Sequence, residues 1–94
     1  MGIRGFKGKL GSPLFDGVCL RGFPPELARS AQRKLRAIDA AEAVGDLALV
    51  PGNRLEKLKG DRKGQWSIRI NDQWRVCFVW NDGQASRVEI CDYH

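Results

Sequence analysis

The feature that most constrains this chain is a run of strict two-residue alternation in its C-terminal third. From Gln65 to Ile70, the residues Trp66, Ile68 and Ile70 fall on one side and Gln65, Ser67 and Arg69 on the other. From Trp74 to Trp80, the residues Trp74, Val76, Phe78 and Trp80 oppose Arg75, Cys77 and Val79. From Arg87 to Tyr93, Val88 and Ile90 oppose Glu89, Cys91 and Tyr93. A period of two is the signature of half-buried strands. The short polar breaks Asn71-Asp72-Gln73 and Asn81-Asp82-Gly83 suit hairpins. Three antiparallel strands with one apolar face are therefore expected.

That apolar face needs a cover, and the chain offers one clear helix. Between Pro25 and Ala43, Leu27, Ala31, Leu35 and Ile38 form a stripe at helical spacing, and Gly45 is a plausible stop. Pro24 and Pro25 suit its N-terminus. Arg29, Arg33 and Arg36 fall on the opposite side. Such a row reads first as a solvated outer face; the alternative is a contact with a polyanion such as ribosomal RNA. Ile3 to Phe6 fits a short strand, Lys9 to Phe15 one helical turn, Val50 to Asn53 a turn, and Arg54 to Leu58 a strand. The stretch Gly60 to Gly64 is a charged loop without the spacing of a phosphate-binding P-loop. With 94 residues there is room for one core and so one domain, residues 1–94. The fold class is α+β, a small antiparallel-rich sheet packed on one or two N-terminal helices.

Composition excludes several functions. Cys19, Cys77 and Cys91 are an odd number without a CxxC pair, and the one histidine is terminal. That is a poor disulfide framework and a poor zinc site, so reduced thiols, no metal and no cofactor are expected. No stretch approaches the roughly 18 apolar residues of a membrane span, and the first ten residues carry Arg4, Lys7 and Lys9 without an apolar core. A cytoplasmic protein without a membrane partner is expected. The net charge of +5, from 16 Lys+Arg against 11 Asp+Glu, suits a polyanionic partner without specifying one.

Register locates part of that charge. Keeping the apolar residues on one face aligns Ile70 with Trp74, Ile68 with Val76 and Trp66 with Phe78. Arg69 then lies directly across from Arg75. Placing Phe78 opposite Val88 puts Cys91 across from Arg75, with Tyr93 diagonal to it. Like charges directly opposed are unfavourable. Either one of them is paired with Glu89, Glu56 or an aspartate, or the two await an anion such as a phosphate. Lys59, Arg62 and Lys63 in the preceding loop would rim that site. The tryptophans sit on the apolar face and read as core. Asp92, Tyr93 and His94 end the chain with three groups able to bind or move protons, and histidine is the one that titrates near neutrality.

Several of these segments together resemble the HigB toxin family: Leu58-Lys59-Gly60-Asp61-Arg62, Trp66 to Asn71, Gln73 to Phe78 and the ending Asp92-Tyr93-His94. Ile3 to Lys7 and Gly22-Phe23-Pro24-Pro25 fit as well, so the likeness covers essentially the whole chain. It extends to the growth-inhibiting chromosomal toxins of pseudomonads. The resemblance implies a RelE-like microbial ribonuclease fold and a toxin of a type II toxin–antitoxin pair. It implies metal-independent cleavage of mRNA in the A site of the 70S ribosome. It also implies a helix-turn-helix antitoxin of the HigA type, with operator DNA bound only through the complex.

Carried over by position, Asp92, Tyr93 and His94 match the family's C-terminal catalytic residues. Arg75 matches its phosphate-binding arginine and Lys59 a lysine that neutralises the scissile phosphate. Arg69, Arg62 and Lys63 count as RNA-binding. Some relatives carry a histidine where this chain has Glu56, so Glu56 is grouped with the RNA-contacting residues in place of a possible base. Two other classes compete: a binder that grips RNA or protein without cutting, and a ParE-like gyrase inhibitor. The terminal histidine favours cleavage, because gyrase inhibition needs no proton transfer.

Overall fold

The computed structural model describes residues 2–92. Four strands form one antiparallel sheet in sequence order: β1 (Glu56–Lys57), β2 (Gln65–Arg69), β3 (Trp74–Asn81) and β4 (Gln84–Asp92). Two helices precede it, α1 (Gly11–Phe15) and α2 (Pro25–Ala40). The fold class is the expected α+β arrangement.

The β2–β3 register is the one the alternation dictates. Trp66 pairs with Phe78, Ile68 with Val76 and Arg69 with Arg75. Asn71 Oδ1 closes the turn by accepting from the Gln73 and Trp74 amides at 2.9 and 2.8 Å. The next hairpin turns on Asp82 and Gly83, at φ 52° and 76°. Positive φ at both central positions matches the twist of the flanking strands.

β4 departs from expectation. It begins at Gln84, not Arg87. Arg75 does face Cys91, and Val76 faces Ile90. Between Cys77–Glu89 and Val79–Ser86, however, β4 holds one residue more than β3. That is a β-bulge, and Arg87 at φ 51° absorbs it. The bulge lets Ala85 and Val88 both be fully buried although they are three residues apart.

α2 also ends early, at Ala40 and not Ala43. The cause is Asp46, whose carboxylate accepts from the Glu42 and Ala43 amides, both at 3.1 Å. Those amides begin a 3-10 helix over Val44–Leu49, which contains Gly45. Ile3 to Phe6 makes isolated parallel bridges to Ala85 and Val88 instead of a full strand. The strand expected over Arg54 to Leu58 is reduced to β1, and the charged loop holds a 3-10 turn over Gly60–Arg62.

The core lies between α2 and one face of the sheet. Ala31, Leu35 and Ile38 of α2 meet Ile68, Val76, Phe78 and Val88, all fully buried. Burying a large aliphatic or aromatic side chain stabilises by about 1.5–3 kcal/mol. Trp66, Trp74 and Trp80 edge this core, as expected. α1 is held by a tilted Phe6–Phe15 contact at 5.8 Å and by Arg36 stacked 4.3 Å over Phe15. Gly11 is required there, since a Cβ would meet the Phe6 ring at 2.6 Å. Arg29, Arg33 and Arg36 lie exposed along the outer side of α2.

Candidate nucleic-acid interface

The sheet's other face carries the charge. Glu56 of β1 pairs with Ser67 of β2, which pairs with Cys77 of β3, which pairs with Glu89 of β4. Arg69, Arg75 and Cys91 occupy the adjoining row. The two arginines expected to oppose each other do so, and each has its own carboxylate.

Arg75 is only 8% exposed and is held from three directions. Its Nε–H donates to Ser67 Oγ at 2.9 Å. Its Nη2 donates to the Arg54 carbonyl at 2.7 Å and lies 3.8 Å from Glu56 Oε1. Arg69 pairs instead with the exposed Asp72 in the β2–β3 turn. Glu89 goes to Arg62, whose Nη1 is 3.0 Å from Oε1. Arg62 also donates to Gln65 Oε1 at 3.2 Å, and the Glu89 carboxylate raises its already high pKa. The three carboxylates weighed for one arginine therefore serve three separate cations.

Lys59 and Lys63 are exposed on the loop after β1. Together with Lys57, Leu58, Gly60 and Gly64 they line an open cleft of about 380 Å³. The loop thus sets two cations around a cleft that shares Leu58 with the Cys77–Cys91 patch. Asp92 falls elsewhere. It pairs with Trp74, so it belongs to the opposite row from Arg75, and its Oδ2 accepts from Gln73 Nε2 at 3.1 Å. Tyr93 and His94 lie outside the described residues.

Some site features had no sequence signal strong enough to single them out. Ser67 is completely buried and orients Arg75. The Arg54 carbonyl is aimed by a left-handed backbone, φ 47°. Cys77 and Cys91 pack with Leu58 in a small apolar patch beside the arginines. The Cys91 thiol donates to the Glu89 carbonyl at 3.9 Å; its contact with Cys77 lowers the Cys77 pKa and, with burial, pushes Cys91 well up. Only register could have flagged this pair, because Cys77 and Cys91 are diagonal neighbours across β3 and β4. Among the described residues, no three His, Cys, Asp or Glu side chains converge as metal ligands would.

An open sheet face with a buried, aimed guanidinium, a second arginine beside it and lysines on the rim suits a phosphate chain. Residues 6–94 match the family model described as the RelE-like toxin of the type II toxin–antitoxin system HigB. The chain belongs to the HigB-like toxin family. Toxin HigB-1 of Vibrio cholerae is 48% identical over 65 residues, which cover 69% of this chain and 68% of the relative. Endoribonuclease HigB of Proteus vulgaris is 36% identical over 96 residues, covering 98% of this chain and 99% of the relative. In solved structures, the YoeB–YefM complex from Staphylococcus aureus contains a chain of the same fold, at TM-score 0.63 and 20% identity. That match covers 100% of this chain and 99% of the other.

Proposed function

We propose that this HigB-like toxin cuts messenger RNA in the ribosomal A site by attack of a ribose 2′-OH on the adjacent phosphorus, without a metal. The coarser statement is that the chain is a type II toxin with endoribonuclease activity, in line with its family and with the name of its Proteus vulgaris relative. The observation that carries the reading is Arg75, a guanidinium fixed by Ser67 and Arg54 at the centre of a cationic face.

Three tasks define the reaction. The 2′-OH must lose a proton, the 5′-oxygen must gain one, and the pentavalent phosphate must have its charge offset. Arg75 takes the last task, helped by Arg69 and Lys59. A phosphate would take over from Glu56 and Asp72, whose side chains are exposed and give up their arginines at small cost. His94 is the proton-transfer group, Asp92 orients or tunes it, and Tyr93 stacks on a base or holds the 2′-OH. Glu56 stands where some relatives have a histidine and is the second group able to accept a proton. Arg62 and Lys63 hold the flanking backbone.

The partner is an antitoxin, in our reading of the HigA helix-turn-helix type, and operator DNA is reached only through that complex. No helix among the described residues is long and apolar enough to cross a membrane. We place the toxin in the cytoplasm, acting as one domain over residues 1–94 with no cofactor.

His94→Ala tests the assignment. Loss of a general acid or base lowers rate by about 10²–10⁴. Cleavage of mRNA on programmed ribosomes should fall by that factor with an unchanged circular dichroism spectrum. Unchanged cleavage would remove His94 from the mechanism. Inhibition of DNA supercoiling without any RNA cut would favour the ParE-like reading.

A further inference from the structure

Arg75 is aimed by a carbonyl whose own position is unusual. Arg54 is left-handed at φ 47°, a conformation that residues with a Cβ adopt at a cost. Its carbonyl accepts from Arg75 Nη2 at 2.7 Å. The residue before it, Asn53, is the reason that conformation persists. Asn53 is polar yet only 1% exposed. Its Nδ2 donates to the Leu47 carbonyl at 3.0 Å, and its Oδ1 accepts from Lys34 Nζ of α2. Its backbone N–H donates to the Val50 carbonyl at 3.2 Å, and its carbonyl accepts from the Arg69 N–H at 2.6 Å. A single residue thus ties α2 and the 3-10 helix through its side chain, and β2 through its backbone carbonyl, immediately beside the strained residue.

We infer that Asn53, held by Lys34, is a positioning residue: it locks Arg54 in the left-handed conformation, so that the Arg54 carbonyl fixes the Arg75 guanidinium. The inference rests on the reading of Arg75 as the phosphate-contacting group. Asn53 is buried, and the Lys34 ammonium donates to it. Their effect reaches the reaction through Arg75 alone, and the Arg54 side chain is not needed for it.

The test compares two substitutions at one position. Arg54→Gly and Arg54→Val both remove the guanidinium, but only glycine adopts positive φ freely. Asn53→Ala removes the lock itself. Each variant is assayed for single-turnover mRNA cleavage on programmed ribosomes, with maximum rate and half-saturating concentration separated. Arg54→Val and Asn53→Ala should cut at least tenfold more slowly than Arg54→Gly at saturation, with half-saturation within twofold. The Arg75 Nε–H resonance gives a readout independent of activity. It should remain sharp in Arg54→Gly and broaden or shift in the other two.

Equal maximum rates for folded Arg54→Gly and Arg54→Val, with the Arg75 resonance unmoved, would overturn the inference. If Arg54→Val fails to fold, Asn53→Ala decides it by the same two readouts. Arg75→Met separates the two proposals. Wild-type cleavage by Arg75→Met would refute the phosphate role, while the resonance in the other variants would still report the lock.

Discussion

Ser67→Ala is the sharpest perturbation of the arginine site, because it removes one atom. Ser67 is completely buried, and its Oγ accepts from the Arg75 Nε–H at 2.9 Å. A hydrogen bond to a charged group contributes about 1.5–3 kcal/mol, and an unsatisfied buried donor adds a desolvation penalty. The cavity left by a hydroxyl is smaller than a methyl group, so packing adds little. A loss of about 2 kcal/mol is expected, which for a chain of this size lowers Tm by roughly 8–16 °C. Arg75 would also lose its aim. A tenfold fall in cleavage rate corresponds to about 1.4 kcal/mol of transition-state stabilisation, well within what one misplaced charged contact removes.

The assay is a double-mutant cycle with Arg75→Met, read by thermal or urea denaturation. Without the guanidinium, the Ser67 hydroxyl has no charged donor to satisfy, so Ser67→Ala should then cost close to nothing. The coupling energy should reach about 2 kcal/mol, above the range in which independent sites add. An equal cost of Ser67→Ala in both backgrounds would mean that Ser67 and Arg75 are not coupled. Ser67 would then be an ordinary packing residue and not the anchor of Arg75.

Other outcomes follow from the same contacts. Leu35→Ala, in the centre of α2 and completely buried, should destabilise by about 2–5 kcal/mol in denaturant titration. Asp72→Asn should leave Tm unchanged, because the Arg69–Asp72 pair is at the surface with Asp72 99% exposed. Cys91 is pushed above its ordinary value of 9.0 chiefly by its contact with Cys77, and further by burial. A raised folded-state pKa gives stability that is complete below 9 and lost as pH climbs above it. Between pH 8 and 10.5 the stability of the wild type should therefore fall relative to that of Cys91→Ala. Lys34 is depressed below its ordinary 10.5, chiefly by burial. Its unfolded form binds the extra proton, so its contribution rises with pH just below 10.5, and Lys34→Met should remove that rise.

The sheet was legible in the sequence where one rule acted alone. Period-two alternation and the Asn71 turn were enough to set β2 against β3 and to oppose Arg69 with Arg75. It failed where two local interactions competed. Ala41, Glu42 and Ala43 carry good helix formers, yet the Asp46 carboxylate takes two of their amides and starts a new turn. Nothing in the pattern of β4 reveals that Arg87 absorbs an extra residue. A bulge is a tertiary compromise between the sheet's twist and the burial of both Ala85 and Val88. The site was legible in the same partial way. Composition offered Glu56, Glu89 and an aspartate as partners for one arginine, while three-dimensional reach gave each to a different cation. The Arg54 carbonyl was invisible, because a backbone acceptor leaves no residue-type signal.

Cleavage of mRNA in the act of translation, with Arg75 and the C-terminal residues as its machinery, has a direct test. Mapping 5′ ends of messages in cells expressing the wild type, Arg75→Met and His94→Ala tests it most directly. Cuts phased with codons in translated reading frames are expected for the wild type, and their loss in both variants while the proteins stay folded. Growth arrest by the wild type with no new message ends, or the same phased cuts in both variants, would contradict it.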